Sequence, residues 1–237
     1  MVRASTAGVL AALTLLASGC AVLRSGEGAE AVSAENLQKD IANRLTEAGQ
    51  PPKSVTCQGG LGDLPGATTR CDVVLTDTNS IQPVVTLTAA NPLTYTVTPA
   101  VSAGQLATAV GALLKSSGVD CKTGLEGTSG AAAQCDVAAD GVTMTRTVEV
   151  TGVQGLLMSY AVLPVLGKQQ LDGLLADRLA AETGQRPERA DCTGDLQGKV
   201  GATVDCAVVR GGNAEQLTLT VAKVDGDVID FGYGPKA

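Results

Sequence analysis

The stretch CQGGLGDLPGATTRC, residues 57–71, recurs as CKTGLEGTSGAAAQC at 121–135 and as CTGDLQGKVGATVDC at 192–206. In all three the bracketing cysteines stand fourteen positions apart. A leucine follows the first cysteine by four (Leu61, Leu125, Leu196), a glycine by nine (Gly66, Gly130, Gly201), and an alanine comes next (Ala67, Ala131, Ala202). Cysteines and interior matching together are the signature of an internal repeat, in which each copy is one supersecondary unit.

Upstream of each copy lies an apolar stripe at helical spacing: Leu37, Ile41 and Leu45; Leu106, Val110 and Leu114; Leu171, Leu175 and Leu179. Positions i, i+4 and i+8 share one face of a helix of three to four turns. Ser33 and Ser102 stand where an N-cap hydroxyl accepts a backbone N–H. Gly49, Gly118 and Gly184 are the expected stops, because glycine takes the left-handed conformation cheaply. The first and third copies continue Gly-Gln-x-Pro (Gly49 to Pro52, Gly184 to Pro187), whereas the second shortens this connection.

Downstream, the pattern turns to strands rich in Val and Thr: 72–75, 84–88 and 93–98; 147–153 and 156–163; 217–224 and 228–233. Asn91, Gly155 and Gly226 fall at the same place in each copy and mark hairpin turns, Asp225-Gly226 most strongly. The expected fold is therefore α+β. Three tandem small units, 32–100, 101–165 and 166–237, each set one N-terminal helix on a three- or four-stranded antiparallel sheet, with the helix covering one sheet face.

A unit of this size has a marginal core. The chain holds three Tyr, one Phe and no Trp, so aliphatic side chains must fill it. A disulfide closing a loop of about 15 residues contributes roughly 3 kcal/mol in the chain-entropy treatment. Each copy must solve the same problem locally, which selects Cys57–Cys71, Cys121–Cys135 and Cys192–Cys206 from the possible pairings. The absence of histidine and of CxxC spacing makes zinc a poor rival, and no metal or cofactor is expected.

The first residues carry an address. Arg3 precedes an apolar run, Ala7 to Ala17, too short to span a bilayer. Residues 1–19 read as a signal peptide. Leu16-Ala17-Ser18-Gly19-Cys20 resembles the lipobox of bacterial lipoproteins, with Ala17 where leucine is more usual. The resemblance implies a lipid thioether on Cys20, with palmitate-type acylation, and a membrane anchor for the mature chain. Residues 20–31 then read as lipidated cysteine and flexible tether. This is an extracytoplasmic, membrane-anchored address.

The lipobox, leucine-striped helix, C-x3-L-x4-G-x4-C motif and Val/Thr-rich hairpin together resemble a domain of unknown function common in secreted proteins and lipoproteins of actinobacteria, mycobacteria among them. The match falls on Cys57, Leu61, Gly66, Cys71 and their counterparts, and it covers nearly all of the mature chain. It implies no particular function.

No catalytic constellation stands out. Without histidine, imidazole triads and dyads are excluded. The glycines of residues 57–62 resemble a phosphate loop only faintly and read as turn residues. Asp225, Asp227 and Asp230 read as a solvated turn rather than a calcium loop. Tyr95, Tyr160, Phe231 and Tyr233 lie on final strands, where core packing is the preferred reading and a shared binding platform the sharper one. The net charge of −7, with no basic stripe, excludes nucleic acid as an expected partner. The function expected is a non-enzymatic binding or scaffolding ectodomain with a protein or other envelope partner. The alternative is a carrier of an apolar small molecule or lipid in a cavity between helix and sheet.

Overall fold

A computed structural model describes residues 30–139 and 141–236 of the chain. It is α+β, with three helices each packed on an antiparallel sheet and one disulfide per unit. In the first unit a short entry strand β1 (Glu30–Val32) leads to α1 (Ala34–Glu47), then β2 (Ser54–Cys57), β3 (Leu61–Gly62), β4 (Thr68–Val74), β5 (Ser80–Ile81), β6 (Val84–Ala90) and β7 (Leu93–Thr98). The second runs β8 (Ala100–Val101), α2 (Ala103–Leu114), β9 (Gly118–Cys121), β10 (Leu125–Glu126), β11 (Ala132–Ala139), β12 (Val142–Gln154) and β13 (Leu157–Leu166). The third runs α3 (Lys168–Thr183), β14 (Arg189–Cys192), β15 (Leu196–Gln197), β16 (Thr203–Arg210), β17 (Asn213–Asp225) and β18 (Val228–Pro235). The main sheet of each unit follows one order, first cysteine strand, second cysteine strand, then the hairpin, as in β14-β16-β17-β18. Glu30 and Ala31, at the end of the expected tether, are already strand.

The helices form where the stripes place them. Ser33 and Ser102 cap α1 and α2, each hydroxyl accepting an N–H from three residues on, and Gln105 completes a capping box on α2. Leu37, Ile41, Leu45, Leu171, Leu175 and Leu179 are fully or almost fully buried, each such side chain contributing about 1.5–3 kcal/mol on transfer from water.

The second unit corrects two expectations. Gly118 does not end α2; it opens β9, and the helix is capped by Lys115 in the left-handed region at φ 55°. Leu114 is exposed rather than core. The cause is the shortened connection. The chain folds back at once over the last helical turn, where Ser116 N–H donates to Gly111 O at 2.9 Å. A Cβ on Gly111 would lie 2.7 Å from Ser116 O, so the third core position has passed from Leu114 to this buried glycine.

The repeat motif has a geometric reason. Cys57 and Cys71 face each other across β2 and β4, as do Cys121 and Cys135 across β9 and β11, and Cys192 and Cys206 across β14 and β16. The motif leucines Leu61, Leu125 and Leu196 are buried beneath the helices. Gly66, Gly130 and Gly201 sit at φ 91°, 85° and 85° with open space around them, so their constraint is purely conformational. Their N–H groups donate to Leu87 O, Val150 O and Val221 O, and the same three residues donate back to Ala67 O, Ala131 O and Ala202 O. The Gly-Ala pair thus clamps the loop to the central strand beside a bulge, which occurs between Leu87 and Ala89, Val150 and Gly152, and Val221 and Lys223.

Candidate functional site

The units are joined without a linker. Strand β7 runs through Pro99 into β8, and β13 runs through Pro164 into the start of α3. The entry segment ahead of each helix pairs with the short strand carrying the motif leucine: β1 with β3, β8 with β10, the end of β13 with β15. At each junction a glycine six after the first cysteine lies against the preceding unit's proline. Gly127 N–H donates to Pro99 O and Gly198 N–H to Pro164 O, both at 2.7 Å. A Cβ on Gly198 would stand 2.6 Å from Pro164 Cγ and 2.8 Å from its carbonyl oxygen. The first unit, entered by β1 instead, carries exposed Asp63 at this position.

The two junctions differ chemically. Between the first and second units, Leu75, Ile81, Leu106, Leu157 and Tyr160 surround a cavity of only about 40 Å3, and Leu156 of the hairpin turn is buried in a core that both units share. Between the second and third, a cavity of about 380 Å3 is bordered by Met144, Arg146, Leu166, Gln170, Asp195 and Asp227. Arg146 is 6% exposed although charged. It pairs opposite Cys135, where the third unit places Leu217 opposite Cys206 and the first places Pro83 beside Cys71. Its Nη2 lies 2.8 Å from Asp227 Oδ2, while its Nε is buried without an acceptor. Asp227 occupies the hairpin position that Leu156 holds one unit earlier. Thr147 Oγ1, next along β12, is also buried and unpaired. Lys199 of the third unit reaches Glu149 of the second at 2.6 Å.

Helix α3 starts at Gly167, which offers no capping side chain; Asp195 replaces it, accepting the Lys168 N–H at 2.7 Å. In the other copies this position is glycine: Gly60, whose N–H donates to the Glu30 carboxylate at 3.1 Å, and Gly124, where a Cβ would run into the Val101 carbonyl oxygen. Lys168 Nζ bridges Asp172 and Asp191. Hydrogen bonds from that lysine and from Arg189 hold the Asp191 carboxyl below the usual range.

The sequence candidates distribute as follows. Cys20 lies outside the described residues. Cys57, Cys71, Cys121, Cys135, Cys192 and Cys206 form the three expected disulfides. The glycines of 57–62 join strand to strand rather than strand to helix. Asp225, Asp227 and Asp230 turn to separate cations, Lys223, Arg146 and Arg178. No group of three or more potential metal ligands converges among the described residues. The aromatics are not gathered on one platform. Tyr95 packs on the core of the first two units and its hydroxyl donates to Asp40 Oδ2 at 3.0 Å; burial, then that carboxylate, pushes its pKa up. Phe231 is buried under α3 with the Arg178 guanidinium 5.7 Å above its ring. Arg146, Gly127, Gly198 and Asp195 carry the junctions and were not singled out by the repeat. Aligning the copies by strand register exposes them, as a charge where the other copies place proline or leucine, and as glycines missing from the first copy.

Residues 15–91 and 156–226 match the family described as Domain of unknown function (DUF4333). The chain belongs to this family. Both DUF4333 matches stop at the same point of the repeat, the hairpin turns at Asn91 and Gly226, and the second begins at Leu156, in the turn just before the strand that feeds α3. The middle copy, with its shortened helix connection, falls between them except for its last strand, β13. No curated protein and no solved structure matches the chain. The disulfides mark these DUF4333 units as extracytoplasmic domains. Among the described residues no helix is long and apolar enough to cross a membrane.

Proposed function

We propose that this DUF4333 chain is an envelope lipoprotein of actinobacterial type, anchored through lipidated Cys20, whose three units act as a non-enzymatic binding or scaffolding ectodomain. The observation that carries the reading is the linker-free junction. Successive units are held by a shared strand and a proline–glycine contact, so binding surfaces recur at set spacing instead of swinging on tethers. A ligand with matching spacing then gains from effective concentration even where each unit binds weakly. The lipid-carrier alternative receives less support, because the leucine-lined cavity behind α2 is about 40 Å3, while the larger clefts beside α2 and α1, about 690 and 380 Å3, lie open to solvent and would leave an acyl chain wet.

The test is crosslinking and recovery of the lipidated full chain from its own envelope, compared with a chain in which Gly127 and Gly198 are both replaced by Val. The reading expects a recovered envelope component whose yield falls when the junctions are spoiled while the disulfides remain formed. Equal recovery by both chains would overturn the spacing argument. Metabolic labelling with a palmitate analogue tests the anchor: Cys20→Ser is expected to lose the label, and a label that persists would refute lipidation at Cys20.

A further inference from the structure

The same fold makes the same junction twice, mainly apolar the first time and charged the second. A guanidinium stays ionised at any physiological pH. Burying one costs several kcal/mol unless its donors are met. Arg146 is met in part only: its one carboxylate partner, Asp227, is 66% exposed in its side chain, and Nε faces no acceptor. Where leucines close the cavity behind α2 to about 40 Å3, this junction leaves about 380 Å3 lined in part by the buried guanidinium, within the usual size of small-ligand pockets.

The lining defines the ligand. One guanidinium stands with two carboxylates, Asp227 and Asp195, and with the aliphatic surfaces of Met144, Val165 and Leu166. An anion alone would meet the two aspartates, and a cation alone would meet Arg146. A zwitterion satisfies both. We infer that the cavity between the second and third units binds a small aliphatic amino carboxylate. Its carboxylate accepts from the Arg146 guanidinium where that group lines the cavity, its ammonium donates to Asp227, and its hydrocarbon part lies on Met144 and Leu166. Asp195 already caps α3 through the Lys168 N–H, which leaves Asp227 as the acceptor able to change partners. This ligand class is independent of any envelope partner, so its test does not depend on the scaffolding reading.

The test uses the full mature chain in amide-resolved NMR titration with three probes: leucine, 4-methylpentanoate (the carboxylate alone) and 3-methylbutylamine (the amine alone). Leucine is expected to shift amides of residues 142–146, 165–170 and 227 saturably, and to bind about tenfold or more tighter than either half-probe. Arg146→Gln is expected to lose leucine binding by about tenfold to a hundredfold. Asp227→Asn is expected to weaken leucine and the amine but to strengthen the carboxylate probe, a reversal that a merely structural role for Asp227 would not produce. It also serves if Arg146→Gln does not fold. No saturable shift with leucine, a carboxylate probe as tight as leucine, or an Asp227→Asn chain that treats all three probes as the parent does would each overturn the assignment.

Discussion

Replacing Gly198 by alanine adds one methyl group to a surface that has no space for it. The backbone there is in an ordinary region, so the effect is steric alone. The new Cβ would meet Pro164 Cγ at 2.6 Å and its carbonyl oxygen at 2.8 Å, closer than real carbon contacts permit. The strands must separate, and the 2.7 Å bond from Gly198 N–H to Pro164 O lengthens or breaks. Overpacking of this sort costs about 1–3 kcal/mol, and the lost hydrogen bond adds about 1 kcal/mol. A loss of about 2–4 kcal/mol is expected, a large part of a domain's roughly 5–15 kcal/mol. Urea unfolding of the oxidised chain, followed by far-ultraviolet circular dichroism, measures it; the chain has no tryptophan to report by fluorescence. The control is Asp63→Ala, at the same repeat position in the unit that no proline precedes, where a change within about 0.5 kcal/mol is expected. If Gly198→Ala is as harmless as Asp63→Ala, or if both cost the same, the junction argument is wrong.

Other outcomes follow from single contacts. Converting Cys192 and Cys206 together to alanine is expected to lower the stability of the third unit by about 3 kcal/mol, seen in the same urea assay as an early separate transition. Asp195→Ala removes the side-chain cap of α3 and is expected to cost about 1 kcal/mol, recovered when Gly167→Ser restores the cap the other helices use. Lys122 and the Thr145 hydroxyl hold Asp136 below the usual carboxyl range, and Lys236 and Thr218 do the same for Asp205. Depressed folded-state values stabilise above the unfolded range and lose that contribution as pH falls, so the melting temperature should drop below about pH 4, and less so in 1 M salt, about the point of full screening. Tyr95 is raised, so its contribution is present below about pH 10 and is lost above it, and Tyr95→Phe should blunt alkaline destabilisation.

What could be read from the residues was the local pattern. Leucine stripes at helical spacing, alternating Val and Thr, and cysteines at one repeated interval are short-range signals, and they located the helices, the hairpins and the pairing of sulfurs. Leu114 and Gly118 were misplaced because a connection shortened by five residues ends the helix early, an effect of chain closure that side-chain periodicity does not encode. The charged junction stayed hidden for a different reason. Arg146 stands just ahead of the expected strand 147–153 and nothing marks it until Cys135 is seen opposite it and Asp227 is seen arriving from the next unit. Gly127 and Gly198 carry no signal in the repeat motif until each is found against a proline of its predecessor.

The proline–glycine contact also makes the array editable. Pro99 and Pro164 present the same carbonyl to the same glycine partner, one unit apart. A chain spliced from Pro99 directly to Val165 would drop the middle cassette, and the first unit's exit would meet Gly198 as Pro164 does now. Asp227, which meets Arg146 in the full chain, would then have to be replaced by leucine, as Leu156 stands at the first junction. The natural seams for shuffling these cassettes therefore fall within continuous strands, just after the prolines.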